Sequence, residues 1–129
     1  MNIRWIRVLF AIAALYDFVI GLTFLVNGSG LFAATGVPQP NHWGYIQFGA
    51  ILLMIFGLMF AAVAINPSGN RNLIPYGMLL KIGYVSLVGY YWYNTGVPWL
   101  FQPFFYIDLV MLVLFTIAYK SICKTVGSA

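Results

Sequence analysis

Residues 5–26 read WIRVLFAIAALYDFVIGLTFLV, an apolar run built around one carboxylate, Asp17. A helix needs about 20 predominantly apolar residues to cross the hydrocarbon core of a bilayer, and this run has that length. The chain carries only two acidic residues, Asp17 and Asp108, and both lie inside apolar runs. Reading the sequence therefore means explaining why so apolar a chain keeps carboxylates at bilayer depth.

Three further runs match the first: WGYIQFGAILLMIFGLMFAAVAI at 43–65, LIPYGMLLKIGYVSLVGYYWY at 73–93 and FFYIDLVMLVLFTIAYKSIC at 104–123. They are continuously apolar, without the alternation that a barrel wall requires, so helices are expected. The expected fold is all-α: one membrane domain, a four-helix transmembrane bundle with helices at about 5–26, 43–65, 73–93 and 104–123. Composition points the same way. The 129 residues are 63% hydrophobic and 6% charged, against about 25% charged in a soluble domain. So little charge cannot cover a water-exposed surface of this size.

The formal charge of +4 does not indicate a nucleic-acid partner, because the basic residues sit at particular segment ends rather than in one patch. A single cysteine, Cys123, excludes an internal disulfide and any CxxC redox or zinc motif. The start resembles a secretory signal, with Arg4 and Arg7 before an apolar run. A signal core is about 7–15 residues long, and this run is longer and contains Asp17, so a retained membrane helix is expected. No lipidation motif is visible.

Orientation follows from the same basic residues. Arg4 and Arg7 precede the first segment, Arg71 lies between the second and third, and Lys120 and Lys124 end the fourth. The other two connections contain no Lys or Arg. Because Lys and Arg collect on the cytoplasmic side, both termini and the 66–72 loop are expected there, with loops 27–42 and 94–103 outside. Trp5, Trp43, Tyr45, Tyr91, Trp92, Tyr93 and Trp99 fall near the expected interfaces, as an aromatic belt should. The run Asn66-Pro67-Ser68-Gly69-Asn70 is a turn signal, and Pro75 and Pro103 suit the first turns of the third and fourth helices. Thr-Gly-Val-Pro occurs in both outer loops, at 35–38 and 95–98. Little else aligns at that offset, so a turn-friendly tetrapeptide explains it better than an internal repeat. The apolar stretch Leu31-Phe32-Ala33-Ala34 in the first outer loop suits a segment that dips into the outer leaflet or covers the bundle.

In the second segment Gln47, Ala50, Met54, Gly57, Ala61 and Ala64 alternate spacings of three and four, which places them on one helix face. Small residues on such a stripe let a neighbouring helix approach closely. Ala13, Ala14 and Gly21 do the same beside Asp17, and Gly77 lies one turn from Lys81. At about 1.5 Å per residue, Asp17 lies roughly 18 Å and Lys81 roughly 12 Å from the cytoplasmic ends of their helices, with Asp108 about 6 Å below the outer surface. A charge at the bilayer centre costs about 2.5–3.5 kcal/mol on insertion scales, and pairing Lys81 with Asp17 reduces that cost. Asp108 either joins this group or accepts hydrogen bonds from Gln47, Tyr45 or a loop donor.

Two readings of the cluster Asp17, Lys81, Asp108 and Gln47 are open. In one, the charges line a polar cavity that binds a ligand or relays protons. In the other, Lys81–Asp17 is a buried clasp that fixes which helices meet, and Asp108 is an interfacial residue. A proton path needs polar steps to both sides, and below Lys81 the inner faces are apolar. His42 is a lone histidine without a second ligand in metal spacing, so an interfacial polar role is favoured and neither a metal nor a haem is expected. No phosphate loop, catalytic triad or paired glycosidase carboxylates occur.

The end of the first segment reads Gly21-Leu22-Thr23-Phe24-Leu25-Val26-Asn27-Gly28-Ser29-Gly30-Leu31-Phe32. It resembles the signature G-L-x-F-L-x-x-G-x-x-K-L of DoxX-like small membrane proteins, with Leu31 standing where that family usually has Lys. Asp17 lies outside the motif. The resemblance implies a four-helix bundle in a bacterial inner membrane, in some relatives a small subunit beside a quinone-linked oxidoreductase, and it transfers no catalytic residue.

The leading expectation is thus a non-catalytic membrane subunit or binding module. Its partners would be the bilayer and other membrane subunits or further copies of the chain, with quinone or another apolar molecule as ligand. The runner-up is a small proton-coupled carrier using Asp17, Lys81 and Asp108. A third class is a membrane-embedded isomerase or reductase with a carboxylate acid–base.

Overall fold

A computed structural model of the chain describes residues 1–127. They form four helices, each long and apolar enough to cross a membrane. These are α1 (Ile3–Thr35), α2 (Trp43–Ile65), α3 (Ile74–Asn94) and α4 (Gln102–Gly127), with short 3-10 turns at Arg71–Leu73 and Trp99–Phe101. The second and third expected segments match within a residue. The first and fourth are longer than the apolar runs that announced them.

The extension of α1 corrects the expected 27–42 loop. The helix bends at Asn27, whose backbone leaves the helical region at φ −139° and ψ 37°, and then continues to Thr35. Beyond the bend Phe32 is buried against Trp43 and Phe101, at ring separations of 5.2 and 6.3 Å. Burial of that ring supplies the helical turn that a Gly-Ser-Gly sequence would not hold alone. The stretch expected to cover the bundle does so, as helix rather than loop.

Both Thr-Gly-Val-Pro sequences do one job. Gly36 and Gly96 follow the ends of α1 and α3 with φ of +73° and +81°, the left-handed conformation that stops helices and that glycine adopts without penalty. Thr35 and Thr95 each donate their hydroxyl to the carbonyl one turn back, Leu31 and Tyr91. At the start of α2, His42 accepts the Gly44 amide on Nδ1 at 2.9 Å. This is an N-cap, which gives the lone histidine a structural task.

The bundle is two helical hairpins. α1 packs along α2, and α3 along α4, whereas the two pairs approach each other more sparsely. Small residues set the first packing. A β-carbon on Gly21 would lie 2.5 Å from the Ala50 carbonyl oxygen, and one on Gly57 would lie 2.9 Å from the Phe18 β-carbon. Without a hydrophobic drive between helices in lipid, such close backbone approach carries the association. At the end formed by the N-terminus, the α2–α3 connection and the end of α4, polar contacts tie the strands of the bundle together. Arg7 donates to the Ile65 carbonyl at 3.3 Å, and the N-terminal ammonium to the Ser121 hydroxyl at 2.9 Å. That end carries Arg4, Arg7, Arg71, Lys120 and Lys124.

Toward this basic end the hairpins close on an aromatic plug. Phe10 stacks on Phe115 at 4.7 Å, and Phe60 lies 5.2 Å from Phe115 and 6.0 Å from Phe10. Ile6, Val63, Ile74, Ala118 and Ile122 are buried around them. The Phe60 ring also rests on Gly77 of α3, a contact no larger residue would permit. Large apolar side chains such as Leu15, Ile55, Leu79 and Val110 are exposed around the outside, as a surface facing lipid rather than water would have them.

Candidate functional site

Immediately beyond the plug lie the three charges. Lys81 of α3 directs its ammonium at Asp17 of α1, with Nζ 3.1 Å from Oδ1 and 3.2 Å from Oδ2, and at Oδ1 of Asp108 on α4, 3.0 Å away. Exposure is 2% for Asp17, 1% for Lys81 and 7% for Asp108. Burying an ion without a partner is prohibitive, and here each carboxylate meets the same ammonium. The ammonium also lies 5.3 Å from the centre of the Tyr16 ring and 5.8 Å from that of Phe60, within the range of a cation–π attraction. All three donors of Lys81 are thereby engaged.

Of the placements open for Asp108, the structure takes the first, within the cluster. α4 is preceded by the Trp99–Phe101 turn, so Asp108 sits roughly 15 Å along the chain axis from Trp99. Gln47 does not join. It lies on the exposed side of α2 and bonds to none of the three charges. Gly28 of α1 lies against Trp43 and Ile46, so these two, not Gln47, face α1 at the start of α2. The rest of the expected stripe, from Ala50 to Ala64, is buried or partly buried.

On the side away from the plug the cluster forms the floor of a cavity of about 310 Å³. Its lining is apolar apart from Asp17, Asp108 and three tyrosines, Tyr16, Tyr45 and Tyr84. Tyr84 donates its hydroxyl to the Phe101 carbonyl at 3.0 Å and so pins α3 to the turn before α4. The hydroxyl of Tyr16 is buried and has no hydrogen-bond partner among the described residues. Asp108 has one oxygen on Lys81, and the other receives no hydrogen bond from the described residues. Lys81 itself is not part of the lining. The cavity therefore presents acceptors and hydroxyls, with the ammonium behind them.

The walls are unequal. The α1–α4 side is shut by Tyr16 against Phe104 at 6.2 Å and by Phe24 against Phe101 at 6.5 Å. The α2–α3 side is not. α3 gives the lining only Tyr84, while Tyr45 and Gly49 of α2 line the cavity and are also exposed, Tyr45 by 71%. A β-carbon on Gly49 would meet nothing within 4 Å. α2 and α3 touch through Phe60 and Gly77 at the plug.

Neither a protein-family model, nor a curated protein, nor a solved structure matches the chain. Among the described residues no three His, Cys, Asp or Glu side chains gather as metal ligands. The cavity with its buried charges is the feature on which a functional reading can rest. Sequence reasoning named Asp17, Lys81 and Asp108 but missed Tyr16, Tyr84 and Phe101. The signal for Tyr16 was its place directly before Asp17. Nothing in the sequence ties Phe101 to Tyr84.

Proposed function

We propose that the chain is a membrane-embedded binding module that holds a small apolar molecule in the cavity between its helices. The observation carrying this reading is the cavity's composition: an apolar volume whose few polar groups converge at one end, the usual form of a small-molecule site. The closed aromatic plug on one side and the exposed lining residues Tyr45 and Gly49 on the other support a pocket rather than a through-pore. Quinone is one ligand class consistent with the DoxX-like resemblance, which also supports a place in a bacterial inner membrane as a small accessory subunit. The gathering of Arg4, Arg7, Arg71, Lys120 and Lys124 at one end of the bundle supports cytoplasmic termini.

Photolabelling tests this. Trifluoromethylphenyldiazirine, a small apolar probe, should label the peptides that carry Ile20, Phe24 and Leu53 above the lipid-facing background. Ile20→Trp, which fills the cavity, should remove the excess. Uniform labelling of cavity and lipid-facing residues in the wild type would count against the module.

A second reading, a small proton-coupled carrier, is favoured by the cluster's odd charge count. Two carboxylates share one ammonium, so the site has room for one exchangeable proton or cation. In liposomes a carrier would show flux driven by a pH gradient that Asp17→Asn abolishes while the protein stays folded. Flux that survives the substitution would exclude that role for Asp17.

A further inference from the structure

We propose that the occupant of the cavity is a lipophilic amine, an apolar body bearing a protonated amino group, and that it enters from the bilayer between α2 and α3 past Gly49. The proposal rests on the binding-module reading and names its substrate class.

Charge balance is the first argument. Asp17, Asp108 and Lys81 together carry one uncompensated negative charge when ionised, and all three are more than nine-tenths buried. Lys81 binds both oxygens of Asp17 but only Oδ1 of Asp108. The second oxygen of Asp108 belongs to a residue that lines the cavity, and no described donor reaches it. A ligand ammonium placed there completes a pattern of two carboxylates and two cations. Such charge-assisted hydrogen bonds are roughly twice as strong as neutral ones, the more so where water is excluded.

The second argument is the surroundings of that oxygen. Tyr16 lines the same cavity, and its hydroxyl is buried without a partner among the described residues. Tyr16, Tyr84, Phe24 and Phe104 also line the cavity, and aromatic faces attract cations. A quinone fits this end poorly: its carbonyls only accept hydrogen bonds, and they would lie beside a carboxylate that also only accepts. An amino headgroup of a phospholipid fits poorly too, because its phosphate would follow the ammonium toward the same carboxylates. A free amine with one apolar tail suits both the charge and a volume of about 310 Å³.

The route follows from the unequal walls. The α1–α2 and α3–α4 contacts are continuous and the α1–α4 side is shut by ring pairs. Only the edge carrying Tyr45 and Gly49 faces outward from the cavity. An amphiphilic amine concentrates in the bilayer, where this edge would open to it.

Calorimetry in nanodiscs tests the proposal, with phenylbutylamine as probe, phenylbutanol as its neutral counterpart and empty nanodiscs as the blank. In phosphatidylcholine the amine should bind more tightly than the alcohol. Asp108→Asn, which leaves Lys81 balanced by Asp17, should weaken the amine about tenfold or more and the alcohol far less. Retained alcohol binding shows that the variant is folded. Equal binding of amine and alcohol, insensitive to Asp108→Asn, overturns the amine while leaving the cavity as an apolar site. Binding of neither probe overturns the module as well. Amine binding that weakens when phosphatidylethanolamine is added to the nanodisc assigns the ammonium to a lipid headgroup and overturns the free amine. For the route, Gly49→Trp should slow association of phenylbutylamine without lowering the unfolding temperature, and an unchanged rate overturns entry at that edge.

Discussion

Lys81 reaches from α3 to Asp17 on α1, 3.1 Å away, and so ties the two helical hairpins together beside the plug of Phe10, Phe60 and Phe115. The pair is a clasp, and its Asp17 is also part of the floor of a cavity. The two roles make different demands, which mutation can separate.

The clasp predicts an order of stabilities. Lys81→Met leaves two carboxylates buried without a cation, and removing one partner of a buried ion pair costs about 3–5 kcal/mol. Asp17→Asn and Asp108→Asn each leave one carboxylate facing one ammonium, so each should cost distinctly less. Adding both Asp→Asn changes to Lys81→Met should restore much of the loss. Thermal unfolding of the purified variants in one detergent ranks them. A Lys81→Met protein as stable as wild type would show that the ammonium is dispensable to the fold.

The α1–α2 packing predicts a contrast between glycines. A β-carbon on Gly21 or Gly57 would crowd the facing backbone, whereas one on Gly49 meets open space. Gly21→Ala and Gly57→Ala should therefore destabilise by about 1–3 kcal/mol, as overpacking does. Gly49→Ala should be neutral or slightly stabilising, since alanine favours helix. The same unfolding assay decides it, and equal effects at the three positions would contradict the hairpin geometry.

The aromatic plug predicts both stability and closure. Phe115 is fully buried between Phe10 and Phe60, and truncating such a ring typically costs about 3–5 kcal/mol. Phe115→Ala should lower the unfolding temperature and join the cavity to the basic end. A cysteine placed at Asp108 should then react with a small water-soluble maleimide from that end. Unchanged protection would show that the closure lies elsewhere.

Orientation predicts a labelling pattern. Cysteine at Gln39 or Asn94 should react with an impermeant maleimide in intact cells, in a background where Cys123 is replaced by Ser. Cysteine at Ser68 should react only after permeabilisation. The reverse pattern would place the basic end outside.

Much of the fold was legible because continuous apolar length is a strong signal. α2 and α3 could be bounded from it within a residue. α1 could not, since its outer turns are held by contacts between distant rings, Phe32 with Trp43 and Phe101, which no local pattern records, and α4 runs on past its apolar run to Gly127. The charges were legible because a charge in an apolar run must be partnered. Asp17 and Lys81 could be matched by depth. Asp108 was harder to place, because its depth depends on how much helix and turn precede it. Gln47 was misplaced because a three–four spacing defines a face but not how far that face stays covered, and at the start of α2 Trp43 and Ile46 meet Gly28 instead. The cavity was invisible to sequence, as it depends on how side chains of all four helices meet around Asp17 and Asp108.

Native mass spectrometry of the protein released from membranes in mild detergent tests the binding module most directly. The account predicts a stoichiometric small-molecule adduct on the wild-type chain that is lost in Ile20→Trp, while both proteins unfold at similar temperatures. A wild-type chain that leaves the membrane with no adduct, and gains none when membrane extract is added back, would contradict it.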